Sequence, residues 1–187
     1  MMRHSGTRKL KTRRLILRRL CENDADAMFR NWASDPEVTR FLTWPAHTDA
    51  EVTRQVIGSW LPLYENRDYY HWAITLKGRE DEPIGTIHGL VNDDLKQFTL
   101  GYCLGRAWWH QGIMSEAAQA VIDYFFDTVG ANSVCSYHDT NNPHSGMVMR
   151  HCGMKYEGTR RAASRINGRT VQKVTEYGAE RPLNGPA

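Results

Sequence analysis

Residues 12–20, TRRLILRRL, alternate apolar and basic positions, with Leu15 and Leu17 on one face and Arg14 and Arg18 on the other, which predicts a first strand. The period then becomes helical. Asn23 or Asp24 can cap a helix reaching about Ala33, in which Ala27, Met28 and Trp32 recur, and Asp35-Pro36 stops it. An apolar loop at Phe41-Leu42-Thr43-Trp44-Pro45 precedes a second helix, opened by Thr48 or Asp49 and running to about Tyr64, with Val52, Val56, Ile57 and Trp60 on its apolar face. Alternation returns at residues 70–76, 83–91 and 97–104, a three-stranded antiparallel meander. Ile113, Ala117, Ala118, Val121, Ile122 and Phe125 then form one helical stripe over about residues 112–128, ended by Gly130. A strand at 132–138, a short helix at 143–152 ended by Gly153, and a hairpin of 154–163 with 169–178 around Asn167-Gly168 close the pattern.

The order β, α, α, β, β, β, α, β, α, β, β gives an α+β (mixed α/β) class, with about seven strands in one mixed, mostly antiparallel sheet and about four helices. A single crossover helix joins the strand at 97–104 to the strand at 132–138, so that pair is parallel. Such sheets bind ligands where strands part and a helix N-terminus points into the gap, which directs attention to residues 105–115.

At 187 residues and 21.5 kDa, with 41% hydrophobic and 24% charged residues, the chain reads as one domain at 12–180, with a flexible basic leader at 1–11 and a frayed tail at 181–187. No apolar stretch suits a membrane span, and residues 1–20 mix basic with apolar positions instead of forming a secretory leader. Cys21, Cys103, Cys135 and Cys152 form no C-x-x-C, and the eight histidines form no H-x-x-x-H, so buried thiols, a reducing cytoplasmic setting and no metal site are expected. Residues 1–21 hold eight Arg and Lys and no acid, leaving 16 basic against 21 acidic residues elsewhere. A basic leader can touch nucleic acid; a strand with its arginines in water is the plainer reading, and no nucleic-acid or membrane partner is expected.

Residues 105–116 read Gly-Arg-Ala-Trp-Trp-His-Gln-Gly-Ile-Met-Ser-Glu, a strand-to-helix turn with Gly112 at its bend. Free N–H groups at the start of the next helix suit an anion such as diphosphate. Neither G-x-x-x-x-G-K-[ST] nor G-x-G-x-x-G occurs in this turn. The turn gains meaning from its surroundings: Leu100-Gly101-Tyr102 before it, Trp109-x-x-Gly112-Ile113-Met114-Ser115-Glu116-Ala117 within it, and Asn142-x-x-Ser145-x-x-Val148-x-x-x-x-Gly153-Met154 after it. Together they resemble the GNAT superfamily of acetyl-coenzyme A-dependent N-acetyltransferases. Thr12-x-Arg14-Leu15-x-Leu17-Arg18 and Leu42-x-Trp44-Pro45 resemble its ribosomal-protein N-terminal (Rim-type) branch.

That resemblance, spanning about residues 10–178, implies a single GNAT-like domain in which the strands at 99–104 and 134–138 splay and pantetheine enters between them, against the main chain of Tyr102, Cys103 and Leu104. It implies a diphosphate on the amides of Gln111, Gly112, Ile113, Met114 and Ser115 beside Trp109 and His110, with Asn142 on the pantetheine arm and Ser145 near the thioester sulfur. Two departures stand out. The family's Q/R-x-x-G-x-G/A becomes Trp109-x-x-Gly112-x-Met114, so a side-chain phosphate contact is lost unless Arg106 or His110 supplies it; and Thr99 stands where many relatives carry a catalytic Glu.

Amine acetylation needs a proton acceptor, an oxyanion donor and a proton donor for the leaving thiolate. The resemblance to the Rim-type branch, where a Glu at the place after Gly153-Met154 is implicated, implies Glu157 as the first choice of base; His138 and His88 follow. A main-chain N–H near Leu104 serves the oxyanion, and Ser145 serves the thiolate; Ser145 reads equally as a helix-start hydroxyl. Trp44, Trp60, Tyr64, Tyr69 and Tyr70 either shape the acceptor side or belong to the core. Cys103 either pairs with coenzyme A as a mixed disulfide or is an ordinary strand residue. The acceptor expected is a protein N-terminal α-amine, with a small-molecule amine as the alternative and a non-catalytic coenzyme A- or RNA-binding module as the rival class; a homodimer is left open.

Overall fold

The computed structural model of the chain describes residues 2–166 and 169–181, the stretches 161–166 and 169–172 by their backbone alone. The turn expected at Asn167-Gly168 and the tail from 182 lie outside the described residues.

Strong alternation gives strands where expected, and one more, β1, forms within residues 1–11, the stretch read as a flexible leader. β1 (Leu10–Lys11) and β2 (Leu15–Arg18) lead to β3 (Tyr70–Leu76), β4 (Arg79–Asn92) and β5 (Gln97–Leu104), and then β6 (Ser133–Asp139), β7 (Lys155–Ile166) and β8 (Arg169–Glu180) follow. They form one eight-stranded sheet in the order β1-β2-β3-β4-β5-β6-β8-β7. Every pairing is antiparallel except β5 with β6.

The helices cover the two faces. α1 (Ala25–Met28, continued by a π-helical turn to Ala33), α2 (Pro36–Thr39) and α3 (Ala50–Trp60) lie on one face, where Met28, Trp32, Ile57 and Ala73 pack together. α4 (Ile113–Asp123, with a π-helical continuation to Val129) and α5 (Pro143–His151) lie on the other. All six residues of the α4 stripe are buried, and Phe125 stacks on Phe98 at 3.7 Å between ring centroids. Among the described residues no helix is long and apolar enough to cross a membrane.

Local chemistry revises several expectations near the N-terminus. Asp24 does not cap the first helix with its side chain; its carboxylate accepts from the Cys21 amide (2.8 Å) and grips the Arg18 guanidinium at 2.7 and 2.8 Å. Arg18 therefore does not face water: its side chain is 19% exposed and that of Asp24 1%. Pro36 starts a helix as well as ending one, because Asp35 caps it by accepting from Glu37 N. The thiols are not uniformly buried either: Cys21 is exposed, Cys103 and Cys135 are partly exposed, and Cys152 is buried.

Residues 2–9, read as a flexible leader, lie against the body. Met2 is in the core, Arg3 N donates to Val129 O (2.8 Å), Gly6 N to Arg67 O (2.7 Å), and Trp72 Nε1 to Arg8 O (2.6 Å). The Thr7 hydroxyl donates to Tyr69 O and accepts from His71 N.

Candidate active site

The parallel ladder between β5 and β6 runs from Gln97↔Ser133 to Leu100↔Ser136 and ends there. Both strands continue, β5 on β4 as far as Leu104↔Gly85 and β6 on β8 as far as Asp139↔Val174. Each is thus held by its outer neighbour while the two part from one another. Ser136 closes the apex by donating to Leu100 O (2.9 Å), and Trp109 Nε1 donates to Leu104 O (2.7 Å) at the open end.

Tyr102 stands inside this wedge. Its hydroxyl donates to Ser145 O (2.9 Å) and accepts from Ser145 Oγ (3.1 Å), tying β5 to the first turn of α5. Burial pushes the Tyr102 phenol well above its usual range, so it stays protonated. Asn142 precedes α5; its main chain accepts from Ser145 N, and its carboxamide has no partner among the described residues. Alternation sends Cys103 to the opposite face, where it meets Thr86 at 3.5 Å and burial raises its thiol pKa.

Beyond the wedge the chain turns into α4. His110 (φ 59°) and Gly112 (φ 70°) both adopt the left-handed conformation, which glycine tolerates and histidine seldom does. This double bend brings the amides of residues 110–115 to the head of α4 without an acceptor for any of them among the described residues. Ile113 and Met114 anchor the turn in the core, Ser115 is partly covered, and Gln111 is exposed, its Nε2 donating to Ala107 O. A side chain at Gly112 would fill this cradle: the single heavy atom within 4 Å of its missing Cβ is Arg14 Nη2, at 3.7 Å. Unpaired amides at a helix N-terminus, an open strand pair and a free carboxamide fit a long carrier with a diphosphate and an amide-bearing arm.

Arg106, one of the two side chains considered for the phosphate, is turned away to Asp35 (3.0 Å). His110 remains at the turn, its ring 5.0 Å from that of His144 on α5. Sequence reasoning overlooked His144 and Arg14 here. Arg14 reaches the turn from the bend before β2; the motif Thr12-x-Arg14-Leu15 marks the residue, but its partner Glu116 lies 102 residues away, so the contact was not legible.

The proposed bases fall on different faces. His138 is 9% exposed; its Nδ1 sits 2.7 Å from Asp139 O, its ring stacks on Tyr177, and its buried Nε2 has no partner. A Cβ on Gly146 would come within 2.5 Å of that Nε2, so His138 lies close beneath α5. Glu157 is exposed, its carboxyl lying over Gly178, the residue opposite Cys135, which in turn pairs with Thr99. It shares its face with His88, whose ring covers Gly101, the first β5 residue beyond the ladder. Burial lowers the His88 pKa and, with His88 adding to it, lowers that of His71 to about 3.

The aromatics divide by strand alternation. Tyr70 faces the α4 core against Phe98 and Phe125, whereas Trp60 meets His71 at 4.6 Å on the other face. Tyr64 is buried, donating to His71 O and accepting from Leu20 N. Trp44 packs at 5.0 Å on His47, and Tyr69 meets His71 Nδ1 at 3.1 Å.

A family model described as an acetyltransferase (GNAT) domain matches residues 14–155. An uncharacterized N-acetyltransferase, p20 of Bacillus licheniformis, is 31% identical over 163 residues, covering 87% of this chain and 90% of its own. Among solved structures, the ribosomal-protein α-N acetyltransferase RimL in complex with coenzyme A superposes with a TM-score of 0.80 at 21% identity, covering 92% of this chain and 98% of that one. The microcin self-immunity acetyltransferase MccE, in complex with acetyl-CoA and AMP, gives 0.80 at 17% identity, covering 90% and 93%.

Proposed function

The chain belongs to the GNAT acetyltransferase family, and from that premise we propose that it acetylates the α-amine at a protein N-terminus, drawing the acetyl group from acetyl-coenzyme A. The observation that carries the cofactor part is the parting of β5 from β6 beside the unpartnered amides of residues 110–115. Acetyl-coenzyme A, when bound, supplies an acyl group activated as a thioester. The protein's own groups then do the rest: amides 111–115 hold the diphosphate, with Trp109 and His110 beside them, and the main chain of Tyr102, Cys103 and Leu104 together with Asn142 orients the arm.

Glu157 takes the proton that the attacking amine must lose. Its carboxyl lies over β8, with Cys135 and Thr99 on the next two strands at about 4.8 Å per strand, so the transfer runs through water. A main-chain N–H near Leu104 donates to the developing oxyanion. The Ser145 hydroxyl, which donates to the Tyr102 hydroxyl in the free protein, turns from that bond to donate where the thiol is released.

A peptide acceptor suits the open side of the sheet. Leu90 and Tyr137 are 63% and 50% exposed there. Between Trp44 and Asp49 the one carboxylate, Asp49, is exposed and occupied as the cap of α3, so this loop does not build the acid-lined pocket a small polar amine would favour. The likeness to RimL supports the same class of acceptor. Mass-spectrometric screening of acetyl transfer to an N-terminal peptide library and a panel of small amines tests the reading: α-acetylated peptides are expected. Transfer to small amines alone overturns the acceptor, and coenzyme A binding without transfer to either overturns catalysis.

A further inference from the structure

The family's cationic or amide side chain at the cradle is Trp109 in this chain, and Arg106 is engaged by Asp35, which leaves the diphosphate site without an obvious guanidinium in its own loop. A guanidinium is present nonetheless. Arg14, on the loop edge of β2, donates through Nε to Glu116 Oε2 (2.6 Å) and through Nη1 to Gln111 O (3.0 Å). Its backbone N–H and the Thr12 hydroxyl fix the other Glu116 oxygen at 2.8 and 2.6 Å, and the same hydroxyl accepts from Leu15 N. An arginine has five N–H donors in a rigid fork, and those on Nη2 have no partner among the described residues. Nη2 is the atom that stands 3.7 Å from the missing Cβ of Gly112, on a side chain that is 40% exposed.

We propose that Arg14, delivered from the bend before β2, is the side-chain ligand of the coenzyme A diphosphate and, through Gln111 O, the residue that positions the cradle. The charge arithmetic requires such a group. Glu116 sits in the first turn of α4, where a carboxylate would repel the anion that the helix terminus attracts; Arg14 neutralises it and keeps two donors for phosphate. The Thr12–Arg14–Glu116 network also pins the loop from outside, so the amides are aimed before a ligand arrives.

This rests on the acetyl-coenzyme A reading, and calorimetry with three probes separates the two. Wild type, Arg14→Gln, Arg14→Lys and Arg106→Gln are titrated with coenzyme A, S-acetylpantetheine, which lacks the diphosphate, and inorganic pyrophosphate, with circular dichroism checking that each is folded. Losing charged hydrogen bonds should weaken coenzyme A and pyrophosphate by about 10- to 100-fold in Arg14→Gln and leave S-acetylpantetheine unchanged. Arg14→Lys should fall between, keeping charge without the fork, and Arg106→Gln should match wild type. Equal losses on coenzyme A and S-acetylpantetheine, or none on either, overturn the role of Arg14 while the cofactor reading stands. Wild type that binds none of the three probes overturns both.

Discussion

Glu157 and His71 show how position decides what a titratable side chain can do. Glu157 is solvated and faces the open side of the sheet beyond the wedge, so Glu157→Gln is expected to lower kcat by 10²-fold or more, in the range of about 10² to 10⁴ for a lost general base, with coenzyme A affinity unchanged. Steady-state turnover with calorimetry of coenzyme A binding checks this; a full-rate variant removes Glu157 from the reaction. His71 has the opposite fate. Burial, with His88 adding to it, holds its folded pKa at about 3 against an ordinary value of 6.5. Below pH 6.5 the unfolded chain takes up a proton that the folded chain refuses, so stability falls as pH drops from 6.5 toward 3, by at most about 1.4 kcal/mol per unit from this group. Urea midpoints between pH 7 and 4 should fall less steeply in His71→Gln, and parallel slopes would exclude the effect. Sequence exposed these residues unevenly. Gly112 and the turn around it were legible because a bend into a helix has a local signature. Arg14 was not, since its role arises from a contact 102 residues distant.

Elements are specified by how strongly their local pattern outweighs the tertiary contacts that arrive later. The strands at Tyr70–Leu76 and Gln97–Leu104 match the expected limits because alternation and flanking turn residues agree. The first helical region departs, since the Asp24 carboxylate turns back to Arg18 and the Cys21 amide instead of capping Ala25–Met28, and α2 hides behind a proline that reads as a stop. α5 offers a test of close packing. Gly→Ala within a helix ordinarily stabilises by about 1 kcal/mol, but at Gly146 the new methyl would meet His138 Nε2 at 2.5 Å. Overpacking should win, for a net loss of about 1–2 kcal/mol in chemical denaturation, with α5 and its Ser145–Tyr102 bond displaced. Adding His138→Ala should recover part of that loss. A Gly146→Ala protein as stable as wild type would mean that α5 is free to lift.

At the scale of the molecule, one sheet is joined across its centre by four residue pairs, from Gln97↔Ser133 to Leu100↔Ser136. A carrier lying in the wedge touches both halves and belongs to the folded state alone. Coenzyme A at about 100 times its Kd should therefore add about 2.7 kcal/mol to unfolding, seen as a Tm rise of roughly 5–10 °C for a chain of this size. Calorimetric scans with and without coenzyme A check this, and an unchanged Tm at saturation contradicts binding in the wedge. The overall class and the single parallel pair were legible in the order of elements, whereas the lie of residues 2–9 along the body was not, because their partners, Tyr69, His71, Trp72 and Val129, are far along the chain. The indole that bonds to Leu104 O at the mouth of the wedge carries one more consequence. Trp109 is the most exposed of six tryptophans: Trp44, Trp60 and Trp108 are partly covered, and Trp32 and Trp72 are fully enclosed. Its emission should be the part most open to iodide and the part that shifts on loading, so occupancy can be followed in a fluorimeter, without a label, before any acceptor has been identified.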